Sequence, residues 1–555
     1  MKKIFAALAV VLIAMLGLAV WLVWRSAGAS DAPSLLPEQT VAFVSLPDIS
    51  RSKVRWPNTA LSLIGAEPEM SAFLEKPLKF IGKSGGMDEA NAIIKKLDLH
   101  QVFVAAVSVS AKESSILIGF QYGGGKAAHD DAVKRLRHEL AGGGPASEIM
   151  REPYQNTEIT GSMHQGTTLY SATSGGWGFL SNSLPILKET LDRAAGRKVN
   201  GTVAQTERYK KTMAHLTKEP DLLVYVQPQP LLETLLAVGQ AMGAQPVPQQ
   251  LEQARKVEAF GAAVKFDGPN LRDSAFFLYP NPPEIGTLTH IASQFTDKDT
   301  IAYFDTVVDL QQLATAEKNP AFAALMASPA LQATKLPELF PQAFGPEFAF
   351  TSSWSPNSMR PTGVAALQVK DPEKALESIQ QILTLYPDTA VSDQGGVKLY
   401  SFPALKSPFS NPTMALKDKF LFIGVDSSDL QRALGNPTSD TMEQSPNFAP
   451  ALPSFHKPGQ VFGYIDTRAI FERGYPMLRQ VIMFGAAFMP GASDIVDTSK
   501  LPQTDTIARH LTPILYSQNR LPDGFLMESS GPITLNQAAF LGVVGGAAFF
   551  KSGQH

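Results

Sequence analysis

The chain has 555 residues and a formal net charge of −3, and 44% of its residues are hydrophobic while 18% are charged. A chain of this length is too long for one hydrophobic core, so two or more domains are expected. The near-neutral charge, without a basic block, argues against a nucleic-acid partner. The sequence contains no cysteine, which excludes disulfides, thiolate metal sites and a cysteine nucleophile.

The N-terminus predicts a membrane anchor. Two lysines precede an uncharged run of 21 residues, Ile4–Trp24. About 20 apolar residues span a bilayer, whereas the apolar part of a cleavable signal is usually about 7–15 residues long. We therefore expect an uncleaved transmembrane helix within residues 1–25; the alternative is a signal peptide cleaved after the A-G-A sequence at 27–29. In both cases the bulk of the chain lies outside the cytoplasm; with the uncleaved anchor, the predicted location is the bacterial inner membrane, with the bulk of the chain in the periplasm.

A strand-and-turn phrase occurs four times and indicates an internal duplication. The copies are TVAFVSLPDI from Thr40, LLVYVQPQPLL from Leu222, TIAYFDTVVDL from Thr300 and QVFGYIDTRAIF from Gln460. Each copy has a β-rich core, a polar break and then a helical pattern. The elements between the first two copies recur in the same order between the last two.

The duplication determines the predicted fold. FLSNSLPILKETL from Phe179 aligns with FIGVDSSDLQRAL from Phe422 without a gap, and PLLETLLAVGQAM from Pro230 aligns with PMLRQVIMFGAAF from Pro476. Strands outnumber helices and adjoin in hairpins, which favours an antiparallel α+β architecture. We predict two tandem copies of an antiparallel sheet-plus-helices module behind the transmembrane helix. The predicted boundaries are a linker at 26–38, module 1 at 39–283, a linker at 284–296, module 2 at 297–530 and an apolar C-terminal tail at 533–555.

The opening of the first module is similar to a known family. LLPEQTVAFVSLPD, with the spacing Trp56…Pro68-Glu69…Phe73-Leu74 after it, resembles a family of large uncharacterised bacterial envelope proteins, domain of unknown function 3352. The likeness is best over the first hundred residues. It implies an envelope location and no established activity, so it assigns no functional residues.

Two serine motifs are candidates for hydrolase chemistry. Ser84 lies in a G-x-S-x-G sequence, but a nucleophile elbow needs a strand before the serine, and a helical pattern precedes this one. Ser50 and Lys53 form a Ser-x-x-Lys sequence without the other elements of serine acyl transferases. The histidines lack metal-ligand spacing. We therefore expect no catalytic, metal or cofactor site, and an extracytoplasmic serine hydrolase using Ser84 or Ser50 is the alternative.

One helical segment, Val481–Pro490, has no polar side chain on any face. A helix of this kind is buried in a core, faces lipid or surrounds an apolar ligand. Core burial is the simplest explanation, and the other two make the segment a candidate site. The candidate residues for contact with an apolar ligand or a membrane are Val481, Ile482, Met483, Phe484, Phe488 and Met489.

The C-terminal tail is a second apolar segment. Ala538–Phe550 contains 13 apolar residues, which is too short to span a bilayer alone. Gly542 and Gly546 form a G-x-x-x-G pattern, which permits close helix packing in membranes. The tail is expected to be either a buried terminal helix or membrane-associated. These features together predict a non-enzymatic, membrane-anchored bacterial envelope protein that binds an apolar ligand, a lipid or an envelope partner protein.

Overall fold

The structure is a computed structural model. It describes residues 32–82, 98–110, 114–124, 131, 133, 147–164, 167–198, 200–241, 252, 254–289, 291–310, 331, 333–356, 358–408, 410–435, 441–444, 448, 459–488 and 497–537.

The described strands form one 20-stranded sheet. Every strand pair whose register is established is antiparallel. The strands of the first half are β1 Ala42–Leu46, β2 Leu99–Val109, β3 Ser114–Tyr122, β4 Ser147–Tyr154, β5 Thr157–His164, β6 Thr167–Ser174, β7 Trp177–Ser181, β8 Leu222–Val226, β9 Ala259–Asp267 and β10 Asn270–Leu278. Those of the second half are β11 Thr300–Val307, β12 Phe344–Ser353, β13 Val364–Val369, β14 Ala390–Gln394, β15 Val397–Ser401, β16 Thr413–Lys417, β17 Phe420–Gly424, β18 Val461–Ile465, β19 Ile514–Leu521 and β20 Gly524–Gly531.

The order of pairing is the same in the two halves. In the first, neighbouring strands follow the order β10-β9-β8-β1-β2-β3-β7-β6-β5-β4. In the second, the order is β20-β19-β18-β11-β12-β13-β17-β16-β15-β14. Each strand of the first half therefore has a counterpart ten strands later.

The prediction of two tandem modules behind a transmembrane helix is wrong. The strands belong to one sheet, because β20 pairs with β10 as well as with β19. Among the described residues, no helix combines the length and apolarity needed to cross a bilayer. The predicted anchor at residues 1–25 and the tail from Ala538 lie outside the described residues.

The longest helix in the described part of the chain has 22 residues. The helices are α1 Ala32–Leu35, α2 Ile49–Arg55, α3 Ala60–Ala66, α4 Pro68–Gly82, α5 Leu184–Ala194, α6 Glu207–His215, α7 Pro228–Ala241, α8 Leu336–Ala343, α9 Pro372–Leu385, α10 Ser427–Ala433, α11 Thr467–Phe488 and α12 Thr504–Ala508. Short 3₁₀ turns occur at Trp56–Asn58, Val203–Gln205, Ile291–Phe295, Pro403–Leu405, Met442–Gln444 and Thr498–Lys500.

Local sequence signals account for where elements begin and turn. Asp371 caps α9, because its carboxylate accepts hydrogen bonds from the N–H groups of Glu373 and Lys374 at 3.1 and 3.2 Å, and Pro372 supplies the first helical residue. An Asp-Pro-Glu sequence is typical of a helix start, so the local sequence accounts for where α9 begins. The β14–β15 hairpin turns at Gly395 and Gly396, whose φ values of +60° and +85° glycine adopts without strain.

The chain divides into two compact units. The first contains the described residues up to Asn281, those within Met489–Leu501, and Pro522–Leu526. The second contains Pro282–Phe488, Pro502–Leu521 and the described residues from Met527 onward.

Each unit has its own buried core. In the first, apolar side chains of β1, β2, β3 and β7 pack with Ile49 of α2 and with Val133. In the second, one face of the sheet carries a core around Tyr303, Phe422 and Tyr464. The opposite face carries a core where α8 and α9 cover one end of the strands, and this core includes Ile379 of α9.

Candidate functional site

Helix α11 is fixed firmly at its N-terminal end. The Asp466 carboxylate accepts a hydrogen bond from the N–H of Ala469 at 2.9 Å, which caps the first turn. The Tyr464 hydroxyl, in the strand before the helix, donates to the same carboxylate at 3.4 Å. The Thr467 hydroxyl donates to the carbonyl oxygen of Thr512 at 2.6 Å. The direction of the helix is therefore set by β18 and the chain before β19.

The middle of α11 is held by side chains that contact the segment before α12. The buried Tyr475 donates its hydroxyl proton to the carbonyl oxygen of Pro502 at 2.9 Å, and its ring stacks on Phe471 with 4.5 Å between centroids. One turn later, the Arg479 guanidinium donates to the side-chain oxygen of Gln503 at 3.0 Å. These contacts position the helix as far as Arg479.

Several of the described apolar side chains around and beyond Arg479 are exposed. Met477, Leu478, Val481 and Phe484, which we call the apolar stripe, are 48–69% exposed. Their spacing of i, i+1, i+4 and i+7 places them on one face of a helix with 3.6 residues per turn. Soluble surfaces tolerate single exposed apolar residues, but a contiguous group of this kind marks an interaction surface.

The structure describes part of the predicted site. Val481, Met483 and Phe484 are exposed, so core burial does not apply to them, and Ile482 is half-buried. Phe488 ends the helix, but its side chain and all of Met489 lie outside the described residues.

Met477 and Leu478 are not among the site residues predicted from the sequence. Met477, Val481 and Phe484 follow the i, i+4, i+7 spacing of a helical face, so this periodicity was a signal that could have found the stripe.

The described residues also contain a cluster of buried acids. Asp305 on β11 and Glu347 on β12 are 0% and 1% exposed. The register pairs Asp305 with Ala349 and Val307 with Glu347, so the two carboxyl groups project from one face of adjacent strands. The Tyr303 hydroxyl donates to Oδ2 of Asp305 at 2.9 Å. Burial and the neighbouring Glu347 raise the pKa of Asp305 to about 8, and burial and Asp305 raise the pKa of Tyr303.

Glu347 binds the segment that precedes β11. Its carboxylate accepts hydrogen bonds from the N–H of Thr289 at 3.0 Å, from the Thr289 hydroxyl and from the N–H of Ala292 at 3.4 Å. Perturbed pKa values often mark active sites. Here, however, the carboxyl groups lie beneath the protein surface, where a substrate in solution does not reach them. We assign this cluster to the core of the second unit.

The serine motifs show no catalytic arrangement in the residues that the structure describes. Ser50 is half-buried in the first turn of α2, which Asp48 caps. Ser52, inside the same Ser-x-x-Lys sequence, donates its hydroxyl proton to Asp221 at 2.7 Å, and Asp221 also accepts from the N–H of Phe266. This contact fastens α2 to the sheet. Ser84 lies outside the described residues, so the hydrolase alternative stays a prediction.

Within the described ranges, no group of three or more His, Asp or Glu side chains is arranged to hold a metal ion.

Comparisons with known proteins add little. No family model matches the chain, and no curated protein matches it. The chain is similar to two solved structures of one protein, titled "Structure of crystal form III of TP0453" and "Structure of crystal form I of TP0453". The identities are 9% and 8% and the TM-scores 0.27 and 0.24; each match covers 46% of this chain and 82% of the other. Likeness at this level carries no argument about fold or function, and the resemblance to the envelope family stays a prediction.

Proposed function

We propose that the protein is a non-enzymatic, membrane-associated protein of the bacterial envelope that contacts lipid through the apolar stripe of α11. The observation that carries the proposal is the exposure of Met477, Leu478, Val481 and Phe484 on one face of a helix that is fixed at its other end. An apolar helix face of this kind lies in the boundary between headgroups and acyl chains.

The size of the stripe fits reversible attachment. Fully burying a side chain of this class contributes roughly 1.5–3 kcal/mol. Four side chains that are about half exposed would therefore contribute on the order of 5 kcal/mol before the cost of immobilising the protein. This free energy corresponds to weak binding that other membrane-directed segments of the same chain would reinforce.

The charge on α11 supports an anionic surface as the target. The helix contains Arg468, Arg473 and Arg479 but a single acid, Glu472. Arg468 and Arg473 pair with carboxylates, whereas the bond from Arg479 goes to the neutral side chain of Gln503. Arg479 lies on the anchored face of the helix, away from the stripe, so the supporting feature is the net charge of +2 that the three arginines and one glutamate give the helix, which is suited to a surface of anionic headgroups.

The absence of native cysteine permits a direct test. A single cysteine at position 481 or 484 of the full-length chain can carry an environment-sensitive fluorophore without competing labels. The protein is then mixed with vesicles of phosphatidylethanolamine and phosphatidylglycerol that contain doxyl-labelled quencher lipids. We expect Val481→Cys and Phe484→Cys labels to be quenched at least roughly threefold more than a control label, because the stripe enters the lipid.

The matched control is Leu376→Cys. Leu376 lies on α9 in the same unit and is 52% exposed, so it reports on a helix surface of similar exposure outside the stripe. Equal quenching at positions 376, 481 and 484 would contradict the proposal, and so would quenching that is absent at all three.

A further inference from the structure

The second unit has an exposed apolar surface on its sheet, separate from α11. Phe304 on β11 lies opposite Phe350 on β12, Phe350 lies opposite Ala365 on β13, and Ala365 lies opposite Ile423 on β17. Val425 follows Ile423 by two residues and donates its N–H to the carbonyl oxygen of Gly363, so it continues the same face. We call Phe304, Phe350, Ile423 and Val425 the outer row; these side chains are 37–45% exposed.

The outer row is contiguous because a glycine brings two of its members together. A Cβ placed on Gly363 would lie 3.0 Å from Cγ2 of Val425 and 3.8 Å from the ring of Phe350. The two side chains thus share the space that a side chain at position 363 would fill. The surface is a shallow apolar face that extends over four adjacent strands.

The described chain ends beside this surface. A Cβ on Gly463 of β18, the strand next to β11, would lie 3.9 Å from both the Phe304 ring and Cδ1 of Leu535. The N–H of Leu535 donates to the Ser529 hydroxyl at 3.0 Å, which holds this residue in place. The N–H of Gln537 then donates to the Thr534 hydroxyl at 3.2 Å, as at the first turn of a capped helix. Leu535 therefore packs at the edge of the outer row.

The segment that follows has the composition and reach to cover the row. Ala538–Phe550 contains 13 uncharged apolar residues, three of them glycine. As a helix it would be about 20 Å long. The distance across the five strands from β18 to β17 is about 19 Å, because neighbouring strands lie about 4.8 Å apart. Starting beside Phe304, the tail is long enough to reach Ile423.

We propose that the C-terminal tail, Ala538–Phe550, docks on the outer row as an apolar helix. Covalent attachment beside the row keeps the tail at a high effective concentration, so weak apolar contacts suffice to hold it there. Gly542 and Gly546 lie four residues apart, one helical turn, and let the helix backbone approach the rings of Phe304 and Phe350 closely. The tail then shields the apolar face of the second unit and is an internal element of the fold.

Photo-crosslinking of the full-length protein in lipid vesicles tests this assignment. The photoreactive amino acid p-benzoylphenylalanine replaces Phe350, and mass spectrometry identifies the peptide to which it becomes attached. We expect an intramolecular crosslink to a peptide within residues 538–551, at a yield at least roughly fivefold above that from the same probe at Leu376. The substitution Phe540→Asp should lower the yield from position 350 by about tenfold, because it places a charge in the docked helix.

Every other outcome contradicts the proposal. A crosslink to residues 311–330 would assign the surface to that segment, and one to a second chain would assign it to an interface between copies. A crosslink to lipid would mean that the outer row or the tail faces the bilayer. Absence of any crosslink above the Leu376 control would mean that the face stays open. A second probe at Ile423, at the far end of the row, guards against local disturbance at Phe350 and should attach to the same tail peptide.

Discussion

Strands β1, β2, β3 and β7 of the first unit pair in the same order as β11, β12, β13 and β17 of the second, but their outward-facing positions differ. The register aligns Val44, Val104, Ile118 and Leu180 with Phe304, Phe350, Ala365 and Ile423, respectively. The four residues of the first unit are only 1–9% exposed and belong to a packed core with Ile49 and Val133. Their large counterparts in the second unit are over one-third exposed. Shared strand order therefore does not fix which sheet face is covered.

The opposite face shows a second difference, in polarity. Ser45 and Gln101 of the first unit occupy the places of Asp305 and Glu347 in the second. The Gln101 amide donates to the carbonyl oxygen of Pro47 at 3.3 Å, and within the described part of the chain the Ser45 hydroxyl has no hydrogen-bond partner. The first unit thus buries neutral groups where the second buries two carboxyl groups. The same strand order accommodates both neutral and acidic side chains, because the backbone hydrogen bonds between strands do not depend on which side chains face the core.

The two units therefore differ in their exposed apolar surfaces and in their buried titratable groups. Among the described residues, the first unit buries the sheet face that the second leaves exposed. The second unit contains the outer row, the apolar stripe and the titratable core. We therefore expect substitutions at equivalent positions to have unequal effects on the two units.

The largest expected effect comes from truncating equivalent, isomeric side chains. Leu180→Ala removes a side chain that is 1% exposed and should cost about 2–5 kcal/mol, since it leaves a cavity. Ile423→Ala removes one that is 45% exposed and should cost about 1 kcal/mol or less. Hydrogen–deuterium exchange of peptides from β7 and β17, compared with the unsubstituted protein, measures both changes locally.

A similar loss of protection at both sites would contradict this contrast between the units. It would mean that the outer row is buried as completely as Leu180, so that a docked tail would be a full core element and not the weakly held cover proposed above. The double variant serves as a control for independence, because its effects should add if the sites lie in separate cores.

The sequence revealed the repeat but not how its strands would join. The gapless match between Phe179 and Phe422 agrees with the observed register, in which Leu180 and Ile423 lie opposite Ile118 and Ala365. Caps such as Asp371 were visible because they depend on a few adjacent residues. The pairing of β20 with β10 was not visible, because alternation defines a strand's faces but leaves its edges unspecified.

Exposure of the candidate site was equally hard to predict. An apolar helix end such as Val481–Phe484 has the same composition whether it lies in a core or on a surface. The outer row was hidden for a related reason: β11 carries apolar residues on both faces, Tyr303 inward and Phe304 outward, as a fully buried strand does. Only the presence or absence of a covering element separates these cases, and that element is distant in sequence.

A second prediction uses the acid pair that the first unit lacks. The pKa of Asp305 is about 8 in the folded protein and about 4 in an unfolded chain. Folding therefore favours the protonated carboxyl group of Asp305. The protonated group stabilises the folded second unit fully below about pH 4. This contribution declines as the pH rises and is lost above about pH 8. Asp305→Asn should remove this dependence and leave the second unit on the order of 2 kcal/mol more stable than the unsubstituted protein at pH 9.

This direction of change can be checked by hydrogen–deuterium exchange. The protection of the peptide containing Tyr303 is measured at pH 5 and pH 9 for the unsubstituted protein and for Asp305→Asn. Comparing proteins at one pH cancels the chemical dependence of exchange. Asp388→Asn, at an exposed aspartate in the same unit, is the matched control and should leave protection unchanged. If Asp305→Asn lowers protection at pH 9 as much as at pH 5, Asp305 is not the titrating group.

The smallest effect is expected from Tyr303→Phe, which gives the second unit the residue that the first has at Phe43. It removes a buried donor 2.9 Å from Asp305 and should cost about 1 kcal/mol at neutral pH. The hydroxyl also lowers the pKa of Asp305 by stabilising its carboxylate, so its removal should move the alkaline loss of protection to higher pH. Phe43→Tyr, beside neutral Ser45, should produce no such shift in the first unit. A transition that moves to lower pH in Tyr303→Phe would contradict this prediction, because it would show that the hydroxyl stabilises the protonated acid and not the carboxylate.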